Sequence, residues 1–205
     1  MGYGKINGTQ WLEEKDREWL ASRAAEGDTE AMVEQAALNV EDGVDVEKNL
    51  AFLNERAESG DTHALIDLGF IYEGDGVTRT EADGSTTVLV AEDRRRAEEC
   101  FRKAAERGSA YGMKIMGTHA WLKAVMHTEP TKAQDFIDAE KWLCAAVEAS
   151  RKPENDLNHV GVRGAMNMLA DIYASDHPEN PIHSEEKARE WKAREEAMKA
   201  ETAEE

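Results

Sequence analysis

The chain has 205 residues, 40% hydrophobic and 33% charged, and its 43 acidic side chains against 25 basic ones leave a net charge of −18. Regularly spaced apolar residues at this abundance exclude a disordered chain and suffice for one or two packed domains. The charge excludes a nucleic-acid grip built on overall positive potential, and no apolar run approaches the ~20 residues that span a bilayer.

In chain order, Met1-Gly2-Tyr3-Gly4 runs into Trp11-Leu12-Glu13-Glu14 without the basic stretch and apolar block of a secretory signal. Ile6 stands where a myristoylation motif wants Ser or Thr. The two cysteines, Cys100 and Cys144, are too few for a disulfide framework, so reduced, buried thiols and a cytoplasmic location are expected. A leading helix is expected over 10–26, where Asp16, Trp19-Leu20, Ala24 and Gly27 are spaced by three, four, eight and eleven. Such gaps put the residues on one helical face, and glycine at eleven is a natural stop.

That frame returns as Asn49, Phe52-Leu53, Ala57 and Gly60, and as Ala97, Cys100-Phe101, Ala104-Ala105 and Gly108. It returns again as Ala139, Trp142-Leu143, Ala146-Val147 and Ser150, and as Ala188 and Trp191 without a glycine. Between the copies lies a second element of small residues: Ala31, Gln35-Ala36 and Asn39; Ala64, Leu68-Gly69 and Tyr72; Gly112, Met116-Gly117 and Ala120; Ala165, Leu169-Ala170 and Tyr173. Small residues at fixed helical positions let a neighbouring helix approach closely. Each unit is therefore expected to be a helix, a loop and a second helix. The units cover 28–60, 61–108, 109–150 and 151–199, with a frayed tail over 200–205, and their unequal lengths are absorbed by loops.

The stretch from Ala64 through Gly74-Asp75-Gly76-Val77, followed by Ala97, Phe101-Arg102-Lys103-Ala104-Ala105 and Gly108, resembles a Sel-1-like repeat, a relative of the tetratricopeptide repeats. The first unit keeps a degenerate loop, Glu41-Asp42-Gly43-Val44, while the third and fourth lose the loop glycines. The resemblance spans 16–191. It implies an all-α, right-handed superhelical solenoid of about four antiparallel helix pairs that serves as a protein-binding scaffold. Adaptors, secreted virulence factors and immunity proteins that neutralise bacterial toxins belong to the family.

Within the second unit, β-branched residues flank Asp83-Gly84, which predicts a short β-hairpin over 77–90. Pro153 and Gly161 break the connection over 151–163, and Pro178 and Pro181 keep 176–183 from being helical. The Lys, Arg, Glu and Ala that dominate after Trp191 suit a solvent-facing helix capping the stack.

No motif for catalysis emerges, and neither an enzyme nor a cofactor is expected. His63, His119, His127, His159, His177 and His183 form no paired ligand spacing. His159, His177 and His183 could meet only through their loops, which leaves a metal-dependent hydrolase as the reading of another class. Trp19, Trp142 and Trp191 fall on the repeat's aromatic position and are expected in the core. Trp121 either extends its helix and packs or faces a groove as an anchor. Met113, Met116, Met126, Met166 and Met168 are expected mainly as core filling. Arg94, Arg95, Arg96, Arg102, Lys103 and Arg107 read as a solvated helix face paired with Glu98, Glu99 and Glu106.

If first helices line a concave face, as the resemblance implies, the partner-binding positions are Glu34, Asp67, Phe70, Ile71, Ile115, Thr118, His119, Trp121, Met168 and Asp171. Mixed acidic and apolar, they suit a protein with a basic surface and a few apolar anchors. The functional expectation is a non-catalytic scaffold, concretely an immunity protein binding a toxin or effector, with a peptide- or enzyme-binding adaptor as the alternative.

Overall fold

The computed structural model describes residues 4–6, 10–12, 14–74, 76–125, 133–152 and 157–201. The expected positions Met126, His127, Pro153, Glu204 and Glu205 lie outside them. The described residues form helices α1 (Glu14–Ala25), α2 (Thr29–Glu41), α3 (Val46–Glu58), α4 (Thr62–Glu73), α5 (Arg94–Glu106), α6 (Ala110–Val125), α7 (Ala133–Ala149), α8 (His159–Ala174) and α9 (Glu185–Glu201). Two antiparallel hairpins join them, β1 (Gly4–Ile6) with β2 (Gln10–Leu12) and β3 (Val77–Thr80) with β4 (Thr86–Val90). Gln10–Leu12, expected at the start of the leading helix, is thus a strand.

Two compact units divide the chain at Arg107/Gly108. In the first, each helix packs on the next and α2 also packs on α4; in the second, α6 to α9 pack in succession and α6 also packs on α8. Contacts to the next helix and to the next but one are what a helical-repeat architecture requires of each unit.

The turns repeat in chemical detail. At the end of α1 the Gly27 amide donates to Ala24 O and the Asp28 amide to Arg23 O, each 3.1 Å; at the end of α3 Gly60 and Asp61 do the same to Ala57 O (3.2 Å) and Arg56 O (3.1 Å). This pair of bonds satisfies the last helical carbonyls, with glycine left-handed. The same aspartates then cap the following helices. Asp28 Oδ1 accepts from the Ala31 amide, and Asp61 Oδ1 from those of His63 and Ala64. Arg23 pairs with Asp28, and Arg56 with Asp61 at 2.9 Å. Asp93 and Asn158 cap α5 and α8 in the same way.

Close packing explains the small residues. A Cβ on Gly69 of α4 would lie 2.3 Å from the Phe101 ring of α5, and one on Gly117 of α6 would lie 2.6 Å from Leu143 of α7. Phe101 and Leu143 are the second residues of the bulky pairs read from the sequence, and both are wholly buried. In the second unit the core gathers Phe136, Leu143, Leu169 and Ile172, and Arg163 donates to Glu195 at 2.7 Å to tie α8 to α9.

The hairpin expected over 77–90 is present, with Thr80 opposite Thr86 and a register shift at Val77/Thr78. Its three-residue loop closes with Glu81 donating to Ser85 O and Gly84 to Glu81 O, Gly84 being left-handed at φ 83°. Val77 and Val90 bury the base, and Arg79 Nη2 donates to Gly43 O at 2.5 Å, tying the hairpin to the α2–α3 turn. Gly76 has φ 81° and its missing Cβ would lie 2.4 Å from Val90 O, so no other residue fits there. Gly43, its counterpart in the degenerate first-unit loop, shares the left-handed backbone with φ 71°.

The tryptophan expectation needs correcting. Trp19 is 59% exposed, and the neighbouring Leu20 takes the buried position in the α1–α2 contact. Arg23 lies over the Trp19 ring, Arg194 over Trp191 and Lys141 over Trp142; the latter two indoles are half-buried. Trp142 and Trp191 thus shield their apolar rings under a cation as well as against protein.

Candidate functional site

The expected partner-binding residues fall into two groups, one in each unit. Glu34 on α2 lies with Asp67, Phe70 and Ile71 on α4; Ile115, Thr118, His119 and Trp121 on α6 lie with Met168 and Asp171 on α8.

Most of the apolar members have internal work. Ile71 and Ile115 are buried in the core and offer a partner no surface. Phe70 meets Phe101 edge-on, with centroids 5.1 Å apart. Trp121 lies within an α6 that continues to Val125 and sits edge-on to Phe136 at 6.2 Å, so it packs within its own unit. Thr118 Oγ1 is 2.8 Å from Lys114 O and 3.4 Å from Met168 Sδ, which joins α6 to α8. His119 is half-buried and engaged, whereas Asp171 stands exposed.

The electrostatic feature is on α2 and α4. Burial pushes the Glu34 carboxyl above the usual carboxylate range, Glu30 adds to this, and His63 opposes it. Asp67 is pushed further, well above that range, by burial first and then by the negative charges of Glu34, Glu41 and Asp61. Such a group of carboxyls binds protons more readily than isolated ones and gains most from a cation brought alongside. Sequence reading missed Glu30 and Glu41. Their signal was available, because 30, 34 and 41 are spaced by four and seven and so share one helical face.

Of the three histidines expected in loops, His177 and His183 take structural positions. His177 lies against the Phe136 ring at 5.6 Å, and its Nδ1 accepts from the Glu179 amide at 3.1 Å. His183 Nδ1 is 3.0 Å from Ser175 O, and His159 is exposed at the start of α8. Among the described residues no three His, Cys, Asp or Glu side chains are grouped to hold a metal ion.

On α5, Lys103 pairs with Glu99 at 2.7 Å, as expected of a solvated face. Arg96 and Arg107 instead reach across to α3, Arg96 Nη2 donating to Asn54 Oδ1 (3.1 Å) and Arg107 Nη1 to Ala57 O (2.7 Å). Cys100 is buried and Cys144 half-buried; both thiols are free and raised above the usual thiol range, chiefly by burial. Among the described residues no helix is long and apolar enough to cross a membrane.

No family model matches the sequence, and no curated protein shows significant similarity to it.

Proposed function

We propose that this chain is a non-catalytic protein-binding scaffold of the Sel-1-like kind, most concretely a cytoplasmic bacterial immunity protein that captures and neutralises a toxin or effector through that partner's basic surface. The observation that supports this reading is the α2–α4 face, where Glu34 and Asp67 are half-buried among Glu30, Glu41 and Asp61. A Lys or Arg from a partner relieves the mutual repulsion there and favours the ionised form of both carboxyls. The net charge of −18 draws the basic surface in from a distance. Half-exposed Phe70 borders the charged residues as an apolar contact.

The test is co-purification with the product of a toxin-like reading frame adjacent to this gene, followed by association kinetics at two salt concentrations. Glu34→Lys is expected to slow association about ten-fold at low salt and flatten its salt dependence. An unchanged on-rate would count against the electrostatic face.

A further inference from the structure

The first unit holds a second surface of opposite character. A pocket of about 420 Å³ opens between α3 and α5 above the α4 side chains Leu65 and Leu68, a volume in the range of small-ligand sites. One face of α5 lines it with Arg96, Glu99, Cys100, Lys103 and Arg107. Across from them stand Asn54, Ala57 and Glu58 of α3.

Both guanidinium groups reach α3, where their acceptors, Asn54 Oδ1 and Ala57 O, belong to residues three apart, less than one helical turn. Neither Arg96 nor Arg107 has a carboxylate partner among the described residues. Each bond to α3 uses one N–H of a group that carries five. The Arg96 guanidinium carbon also lies over the Tyr72 ring, 4.2 Å from the centroid, in a cation–π contact that fixes the head of the side chain beside the pocket. Lys103 adds a third positive charge on the rim, shared with Glu99. The lining thus carries three cations against the two carboxylates Glu58 and Glu99, and Glu99 is already engaged by Lys103.

We infer that this pocket is a binding site for a small, multiply charged oxyanion, of the phosphate-ester or polycarboxylate kind, held between the Arg96 and Arg107 guanidinium groups with Lys103 closing the rim. The site lies apart from the α2–α4 acidic face and does not depend on the function proposed for it.

The test is titration of the full-length protein with pyrophosphate and, separately, with citrate, against potassium chloride at matched ionic strength. Calorimetry and amide chemical shifts serve as readouts. Saturable binding is expected with one of the two oxyanions, the stronger identifying the ligand source, and shifts are expected at Asn54, Ala57, Arg96 and Arg107. Arg107→Gln weakens it about ten-fold. Because that variant also loses the α3 bridge, Lys103→Gln and Glu58→Gln are the decisive pair. The first weakens binding several-fold by removing a charge, and the second tightens it by removing a repelling carboxylate, with neither bridging two helices. Absence of saturable binding, or identical affinities in wild type, Lys103→Gln and Glu58→Gln, would overturn the assignment.

Discussion

At the residue scale, two glycines carry the fit between paired helices. An exposed helical Gly→Ala change stabilises by about 1 kcal/mol. At Gly69 the sign reverses, because the new methyl lands 2.3 Å from a Phe101 ring that is fully buried. Overpacking of about 1–3 kcal/mol outweighs the propensity gain. Gly69→Ala is therefore expected to lower the urea midpoint with an unchanged slope, and Phe101→Leu is expected to recover part of the loss in the double variant. Strict additivity would show that the two residues do not meet. Asp67 supports a second prediction at this scale. Its pKa is raised in the folded state, so the folded protein holds more protons than the unfolded chain between the ordinary carboxylate range and the raised value. Stability therefore falls as pH rises through that window and is greatest below it. Asp67→Asn is expected to flatten this dependence and to raise the melting temperature at neutral pH. Unaltered slopes would mean that Asp67 is solvated in the folded state.

At the element scale, the helix pairs were legible because close packing writes itself into a chain as small residues facing bulky ones. The Gly69–Phe101 and Gly117–Leu143 contacts are that rule made physical. The hairpin was legible too, since Asp83-Gly84 supplies the turn and β-branched residues the strands. The strands Gly4–Ile6 and Gln10–Leu12 were not, as three residues each are too short for an alternation to register. Trp19 misled because a periodic position names a helical face without saying whether anything covers it. The hairpin's single described hydrogen bond to the α2–α3 turn runs from Arg79 to Gly43 O. Replacing 78–89 by a short glycine-containing turn, with Val77 and Val90 retained, is expected to leave the helical circular dichroism unchanged and to lower the melting temperature by a few degrees. Loss of helical signal would make the hairpin part of the core. The repeated glycine–aspartate turn gives a local check. Asp61→Ala is expected to cost about 1–2 kcal/mol through the lost cap on α4 and the lost Arg56 partner.

At the scale of the whole molecule, composition bounded the site without locating it. A charge of −18 favours a cationic partner, yet 43 carboxylates spread over a chain give no position a claim. Position came only from packing, which half-buries Glu34 and Asp67 side by side while it withdraws Ile71 and Ile115 into the core. The apolar half of the expected surface is largely spent on internal contacts, whereas Glu34 and Asp67 are half-buried and Asp171 is exposed. The same packing leaves cations without carboxylate partners between α3 and α5, a surface that the overall charge conceals. The acidic face is probed by carboxyl-resolved NMR titration of Glu34 and Asp67, with and without a lysine-rich peptide. The peptide is expected to lower both pKa values, Asp67 more, with proton release on binding. Unchanged values for both, with peptide-induced shifts confined to other carboxyls, would contradict it.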